Sequence, residues 1–236
     1  KTPSEATIAA LNEKYGLDKP VTVQLGLYLK DIAHGNFRNS IKMQKDRPVL
    51  DIITSMFPIS AKIGMIAIAW AILIGVPLGC LAAFKRGTWV DSLLRVVCTI
   101  GISMPGFVVA TILLFLLTGG IEGLKLFPTA FDASTWKSYV LPCAALGFYP
   151  MCYLSRQTRT AMLDSLGQEY IKTARAKGLK NKKIIFKHAL RNALIPVITY
   201  LGPQVAFTLC GGFVVEKVFS IPGLGRYFVM SIQSRD

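Results

Sequence analysis

Few residues in this chain have the types and spacing that carry chemistry. Among its 236 residues there are only two histidines, His34 and His188, and they lie far apart in the sequence. No phosphate-binding GxxxxGK[ST] loop, HExxH pair or paired-cysteine metal motif occurs. The five cysteines all lie in apolar windows, where a small buried hydrophobe is the ordinary interpretation: Cys80, Cys98, Cys143, Cys152 and Cys210. We therefore expect no catalytic residue, no metal and no cofactor, and we infer that the chain is not an enzyme by itself.

The chain is both apolar and strongly basic, and the two properties occupy different stretches. Hydrophobic residues make up 52% of it and charged residues 17%, yet its formal net charge is +14. So few charges exclude a disordered polycation of the histone type, and a mean hydropathy of +0.46 is too high for an ordinary soluble domain. The pattern indicates a protein that crosses a membrane several times, with lipid and not nucleic acid as its surroundings.

Four windows contain no Asp, Glu, Lys or Arg and are candidates for membrane-spanning helices: 63–84, 96–121, 138–155 and 192–215. About 20 apolar residues cross a hydrocarbon core roughly 30 Å thick. The predicted spans are about 60–84, 96–120, 138–156 and 192–215. The third contains Pro142 and Pro150 and is marginal in length. A soluble all-helical core is the alternative, and four such windows in one chain disfavour it.

The loops between these windows differ in charge, and the difference predicts the orientation. Loop 85–95 holds three basic residues against Asp91, loop 156–191 holds ten against two acidic residues, and the loop between them is neutral. Because basic loops stay in the cytoplasm, 85–95 and 156–191 are predicted to be cytoplasmic and both ends of the sequence extracytoplasmic. Residues 1–58 contain no signal-peptide core, so we expect a fragment that lacks at least one upstream span.

Residues 1–58 are predicted to form a small extracytoplasmic helical cap. One helix would begin after Ser4, and a second would begin at Pro20 and carry Leu25 and Leu29 on one side. Eight basic against six acidic residues in this region imply no strong electrostatic partner.

The large basic loop contains a segment with its own helix start and stop signals. Ser165 followed by Gln168 has the spacing of a capping box, and Glu169 suits the positive end of a helix. Gly178 is a stop signal after the basic last turn. We predict a slim, self-capped helix over 166–177 that inserts into a groove of a cytosolic partner. The alternative is a solvated basic loop that touches acidic lipid headgroups.

Three separated stretches resemble a known family. Residues 173–179 (TARAKGL) and 188–196 (HALRNALIP) look like the EAA loop of ABC-importer permeases, in the dipeptide/oligopeptide/nickel group. Only Ala174, Gly178 and Leu190 match the general form of that motif, and the departures are those of the peptide-permease branch. Residues 216–226 resemble the VExxFxxPGLGR segment of the B-type subunit. Residues 85–91 and 103–105 resemble its first cytoplasmic loop and following span.

The resemblance implies an all-α polytopic membrane helix bundle of the type I ABC importer permease fold, with four of the family's six spans in a domain at 59–236. It implies a permease subunit in a bacterial-type inner membrane that forms a translocation path for oligopeptides or dipeptides. Its partners would be a second, different permease subunit, two cytosolic ATP-binding subunits and an extracytoplasmic substrate-binding protein. A permease for nickel or another small solute and an ATP-independent channel are the alternatives.

The resemblance also implies roles for particular residues. The loop over 165–191 would couple to the ATPases through these residues: Glu169, Tyr170, Thr173, Ala174, Arg175, Ala176, Lys177, Gly178 and Leu179. Arg175 and Lys177 would be available to pair with carboxylates of the ATPase.

Prolines within the windows suggest where a path could run. Five of them either interrupt a helix and free carbonyls along a polar path or form simple kinks: Pro77, Pro105, Pro142, Pro196 and Pro203. Residues expected along the path are Met104, Pro105, Pro203, Gly211 and Gly212. Because no charged residue lies within a span, we expect weak recognition of peptide backbone there and selection by the binding protein.

Overall fold

The computed structural model describes residues 12, 16, 18–119, 124–210 and 212–236. Within these ranges the regular structure is helical and contains two isolated β-bridges, which confirms the all-α expectation. The chain divides into two compact units, Lys1–Ser55 together with Ser231–Asp236, and Met56–Met230.

The helices of the described residues are numbered in chain order. They are α1 (Val21–Ala33), α2 (Val49–Phe84), α3 (Trp89–Ser103), α4 (Gly106–Leu117), α5 (Lys137–Leu166), α6 (Glu169–Ala176), α7 (Asn181–Lys183), α8 (Leu190–Leu209), α9 (Phe213–Val218) and α10 (Leu224–Ser234). A π-helical segment, Ile184–Ala189, joins α7 to α8.

Helix α1 of the smaller unit begins directly after Pro20, as predicted. Its predicted apolar face is not packed, because the side chains of Leu25 and Leu29 are more than half exposed. The helix expected after Ser4 lies outside the described residues. The guanidinium of Arg38, which follows α1, donates to the Asp31 carboxylate through both Nε and Nη2, at 3.0 and 2.8 Å.

A second feature of this unit is a loop whose backbone N–H groups converge on one carboxylate. Asp236 accepts hydrogen bonds from the N–H groups of Ile41, Lys42 and Met43, and from the hydroxyl of Ser40. Partial removal from water raises the pKa of Asp236, but the four hydrogen bonds together outweigh it and lower that pKa to about 2.

Two helical runs in the described part of the chain are long and apolar enough to cross a membrane. They are α2 and the run Asn181–Val218, which contains α7 to α9. The pair α3 and α4 passes the same test only when its two helices count as one span. Helix α5, which contains the third predicted span, does not pass it. Its apolar window is interrupted by prolines and followed by charged residues, and many of its side chains are shielded by neighbouring helices.

Proline has different consequences in different helices. The span predicted over 96–120 is bent by 106° at Met104 and Pro105. The proline ring disfavours helical torsions in the preceding residue, and Met104 is extended there, with φ −80° and ψ 127°. The other four prolines do not interrupt their helices, which continue through Pro77, Pro142, Pro196 and Pro203. For these four the expectation of an interruption is wrong, and only Pro105 ends a helix.

Helix α5 lies at the centre of the larger unit and packs against α3, α4 and α8. Glycines bring α2 against it without intervening side chains. A Cβ atom on Gly75 would lie 2.6 Å from the Met151 carbonyl oxygen, and one on Gly79 would collide with the Ser155 carbonyl oxygen. Gly75 and Gly79 have the small-xxx-small spacing that lets membrane helices approach closely.

The registers of these contacts fix the helix directions. Gly75 meets Met151 and Gly79 meets Ser155, so α2 and α5 run parallel. Gly64, in the first half of α2, meets Thr208, near the end of α8. Ala83, near the end of α2, packs in one buried cluster with Ala193, near the start of α8, so α8 runs the opposite way. These are the directions required if loops 85–95 and 156–191 lie on the same side of the membrane.

Candidate functional site

Helix α6 occupies the centre of the segment predicted to couple to a partner. It runs over Glu169–Ala176, not from 166, because α5 continues without a break to Leu166. The capping-box interpretation is wrong, since Gln168 is the N-cap residue and makes no side-chain cap hydrogen bond. Glu169 does lie in the first turn, where a negative charge is favourable.

The predicted stop at the end of α6 is confirmed. Gly178 has φ +71°, a left-handed conformation that glycine adopts without steric cost. Its N–H donates to the Arg175 carbonyl at 2.9 Å, and the N–H of Leu179 donates to the Ala174 carbonyl at 3.3 Å. The chain therefore leaves the helix in a fixed direction.

Helix α6 has one face in the protein core and one face in solvent. Ile171 is fully buried and Ala174 is 5% exposed. They belong to the base cluster, which we define as Ala83, Met162, Ile171, Ala174, Ile184, Ala189 and Ala193. The solvent face consists of Glu169, Tyr170, Lys172, Thr173, Arg175, Ala176 and Lys177. Of the two alanines in this helix, Ala174 and Ala176, only Ala176 is on the face that a partner could reach.

The charges on the solvent face are not all equally available. Lys172 and Glu169 form an exposed ion pair at 2.7 Å, which contributes little stability. In the described part of the chain, Arg175 and Lys177 have no acidic partner. They remain the basic side chains of this helix that could pair with carboxylates on another subunit.

A hydrogen-bond cluster that the sequence did not indicate ties α6 to its neighbours. The Ser165 hydroxyl, at the end of α5, donates to the Ala189 carbonyl at 3.0 Å. The same oxygen lies 2.6 Å from the Tyr170 hydroxyl. Ser165 thus holds together the end of α5, the start of α6 and the π-helical segment.

The segment that follows α8 is built around a buried carboxylate. Glu216, in α9, is 3% exposed and accepts the backbone N–H of Arg226 at 3.0 Å. A Cβ atom on Gly223 would lie 2.5 Å from the Glu216 carboxylate, and one on Gly225 would lie 2.7 Å from the Phe213 ring. The glycines of PGLGR are therefore required by the close approach of this turn to Glu216 and Phe213.

The residues expected along a path lie on separate elements. Met104 and Pro105 are at the bend between α3 and α4, and Pro203 is on the exposed side of α8. Gly212 precedes α9, where a Cβ atom would lie 2.6 Å from Leu146. Gly211 lies outside the described residues.

A row of polar and aromatic side chains, which the sequence did not indicate, lies between α5 and α8. The rings of Tyr153 and Tyr200 stack with centroids 4.1 Å apart, and Tyr149 stacks on Tyr153 at 6.4 Å. The Tyr200 hydroxyl donates to the Gln204 side-chain carbonyl at 2.8 Å, and the Gln204 amide group lies 3.3 Å from the Thr208 hydroxyl. We call these five residues the tyrosine–glutamine row. These residues come together only because α5 and α8 pack in one particular register, which the sequence does not specify.

The first turn of α3 is also fixed to α5 by an ion pair. Asp91 is almost fully buried and accepts two hydrogen bonds from Arg159, at 2.6 and 2.8 Å. It also accepts the backbone N–H of Gly87 at 3.1 Å, and the Arg95 guanidinium lies 3.7 Å away. Asp91 and Arg159 are 68 positions apart, so the sequence alone does not indicate this pair.

Apolar helices packed around a central helix, with a two-faced helix on the basic loop, are the arrangement expected of a subunit embedded in a membrane. Comparison with known families identifies which kind. Residues 75–236 match the family described as "Binding-protein-dependent transport system inner membrane component", and the chain belongs to that family. It is therefore the permease component of an ABC importer and not an enzyme, and such systems include a substrate-binding protein and ATPase subunits.

Individual relatives are similar along almost the whole chain. It is 47% identical to the dipeptide transport system permease protein DppB of Bacillus subtilis (strain 168), over 99% of this chain and 74% of the relative. It is 37% identical to the oligopeptide transport system permease protein OppB of Salmonella typhimurium, over 97% of this chain and 74% of the relative. It is 38% identical to the glutathione transport system permease protein GsiC of Salmonella typhimurium, over 97% of this chain and 73% of the relative.

Proposed function

We propose that this permease pairs with a second, different permease subunit, and that the two form a path for short peptides driven by cytosolic ATPases. The names of the relatives support the substrate class, because dipeptides, oligopeptides and glutathione are all peptides. Nickel and other small solutes are the competing substrates.

The observation that carries the coupling role is the two-faced burial of α6. Ile171 and Ala174 pack α6 into the base cluster, which also contains Met162 of α5 and Ala193 of α8. A force applied to the solvent face is therefore transmitted to α5 and α8. The exposed Arg175 and Lys177 supply positive charge for an acidic groove on the ATPase. The residues of α6 that touch the ATPase are then the solvent-face residues, and Ala174 supports the helix from the inside.

The tyrosine–glutamine row supports a path along α5 and α8. Polar side chains within a membrane are costly and usually face a path or a neighbouring helix. Tyr200 and Gln204, which are both partly exposed, are four residues apart on α8, about 6 Å at 1.5 Å per residue. An extended peptide advances about 3.3–3.6 Å per residue, so this length accommodates about two residues. The phenol rings and the Gln204 amide can contact peptide planes without selecting particular side chains.

Crosslinking tests the coupling role with two alanines of the same helix. A cysteine at the exposed position, Ala176→Cys, is expected to crosslink to a co-expressed ATPase subunit. The matched variant at the buried position, Ala174→Cys, is expected not to crosslink in the folded complex. Equal crosslinking of both, or of neither, would contradict docking through the solvent face.

Transport tests the substrate class and the energy source separately. Full-length permease is reconstituted in vesicles with its partner permease, ATPases and binding protein. ATP-dependent uptake of a labelled tripeptide is expected, without uptake of nickel. Uptake that continues after ATP depletion would indicate a channel, and nickel uptake without peptide uptake would indicate the metal branch.

A further inference from the structure

A cavity of about 700 Å³ lies between α3 and α5, near the ends of both helices that are predicted to face the cytoplasm. Its wall includes Arg95 from α3 and Arg156 and Arg159 from α5. Ala82 of α2 closes one side with a small side chain. No residue of α6 or of the tyrosine–glutamine row lines it, so the cavity is separate from the coupling site and from the proposed path.

The wall of this cavity has an excess of positive charge. Three arginines face it, and Asp91 is the carboxylate that neutralises one of them, which leaves a net charge of +2. Arg159 is occupied by two hydrogen bonds to Asp91, and Arg95 is 3.7 Å from the same carboxylate. Arg156 has no acidic partner in the described part of the chain. The Arg156 guanidinium is therefore available to an anion, and Arg95, which contacts Asp91 and the Ser92 hydroxyl, keeps further N–H groups that an anion could accept.

The same cavity continues onto an apolar surface. Val96 and Ile100 line it one turn apart on α3, and both side chains are more than half exposed. The Ser92 hydroxyl, which accepts a hydrogen bond from the Arg95 guanidinium and can donate its own proton to an anion, lies beside the arginines. An anionic head among the arginines with a hydrocarbon chain along Val96 and Ile100 fits this distribution.

The position of the cavity relative to the membrane agrees with such a ligand. Trp89, at the first position of α3, is 75% exposed. Tryptophan is enriched where the hydrocarbon core meets the headgroups. Arg95 lies six residues further along, about 9 Å at 1.5 Å per residue. A long arginine side chain near a helix end can extend its guanidinium back to the headgroup level, and Arg156 lines the same cavity as Arg95.

We propose that this cavity binds one anionic phospholipid of the cytoplasmic leaflet, with its phosphate held by Arg156 and Arg95. Guanidinium groups bind phosphate through paired, charge-assisted hydrogen bonds, and basic pockets between membrane helices on this side recognise anionic headgroups. Arg159 and Asp91 position the wall and do not contact the lipid.

Native mass spectrometry of the full-length permease, purified with its partner subunits in a neutral detergent, tests the proposal. The probes are phosphatidylglycerol, phosphatidylcholine, inorganic phosphate and trialanine. Arg156→Gln and Arg95→Gln each remove one of the two guanidinium groups proposed to hold the phosphate, and Arg156→Lys keeps the charge. Arg86→Gln is the matched control, because Arg86 is exposed in the same cytoplasmic loop and does not line the cavity.

We expect preferential retention of phosphatidylglycerol over phosphatidylcholine. Each glutamine variant at the cavity should weaken the binding of phosphatidylglycerol about five-fold, which corresponds to the loss of one basic contact with an anionic lipid. Arg156→Lys should lose less of this binding because it keeps the charge. Arg86→Gln should bind phosphatidylglycerol as well as the unmodified protein does. If one glutamine variant fails to fold, the other decides the result.

Three results would overturn the proposal. Displacement of the lipid by equimolar inorganic phosphate would make the cavity a free-anion site. Displacement by trialanine would assign it to the peptide. An equal loss in Arg86→Gln would mean that the lipid responds to the general charge of the loop and not to this cavity.

Discussion

The Glu216 carboxylate accepts a 2.8 Å hydrogen bond from the hydroxyl of Ser60, which lies 156 positions earlier in the chain. The same hydroxyl oxygen accepts the backbone N–H of Leu224 at 2.8 Å. One buried pair therefore joins α2 to both the start and the end of the segment that carries PGLGR.

Removal of this carboxylate is expected to destabilise the protein strongly. Glu216→Ala leaves the Ser60 hydroxyl and the Arg226 N–H buried without their acceptor, at a cost of about 2–4 kcal/mol for two unsatisfied donors. Thermal unfolding in detergent measures the loss. Ser103→Ala is the control, because the Ser103 hydroxyl bonds only to the Thr99 carbonyl of its own helix. An unchanged unfolding midpoint in Glu216→Ala would contradict the role of the pair.

The contact between α2 and α5 predicts a sharp difference between two glycines. Gly79→Ala places a methyl group against the backbone of α5 and is expected to cost about 1–3 kcal/mol, as in other overpacked sites. Gly202→Ala is the matched control, because no atom lies within 4 Å of its added methyl group. Comparison of their unfolding midpoints tests the prediction, and equal midpoints would show that α2 and α5 are not in close contact at Gly79.

The ion pair between Asp91 and Arg159 is expected to behave non-additively. Asp91→Asn leaves a largely buried guanidinium without its charge partner, a change that typically costs about 3–5 kcal/mol. The double variant Asp91→Asn/Arg159→Gln removes both charges and should recover part of that loss. A double-mutant cycle measures the coupling energy, and strictly additive losses would contradict a direct pair.

The hydroxyl cluster at α6 predicts a loss of coupling without a loss of fold. Tyr170→Phe removes one hydrogen bond to Ser165, worth about 1 kcal/mol, and frees the start of α6 from the end of α5. We expect several-fold fewer peptides transported per ATP hydrolysed in reconstituted vesicles. Thr173→Ala is the control, because the Thr173 hydroxyl bonds only within α6, to the Glu169 carbonyl. Equal transport ratios in both variants would contradict the prediction.

The carboxylate of Asp236 predicts a response to acid. Its pKa is lowered in the folded state to about 2 from an ordinary value of 3.8. The stability that it contributes is therefore complete above pH 4 and is lost as the pH falls toward 2. The protection factors of the amides of residues 41–43, which compare the observed exchange rates with the intrinsic rates at each pH, should fall over that interval. Asp236→Asn should remove this pH dependence, and a dependence that persists in the variant would assign it to another group.

The sequence predicted those features that depend on the backbone preferences of a single residue. Gly178 ends α6 because a left-handed residue is needed there, and Pro105 breaks the second span because of its own ring. The capping-box spacing at Ser165 and Gln168 failed for a tertiary reason. Helix α5 continues past the membrane span, and the Ser165 hydroxyl serves the Ala189 carbonyl instead.

Features that join distant parts of the chain were not predictable from spacing. Tyr153 and Tyr200 stack only because α5 and α8 pack in one particular register. Glu216 belonged to a recognisable segment, but its burial and its bond to Ser60 depend on α2. In these cases the composition of each helix is compatible with many registers, and packing at glycines selects one.

Helix α5 is one continuous helix of 30 residues, about 45 Å long. Ser165, in its last turn, contacts the Tyr170 hydroxyl of α6. The backbone carbonyls of Met151 and Ser155 rest directly on Gly75 and Gly79 of α2, so no flexible side chains separate the two helices to absorb a displacement. A displacement of the end of α5 that carries Ser165 therefore moves α2 and α5 together, and not one helix past the other.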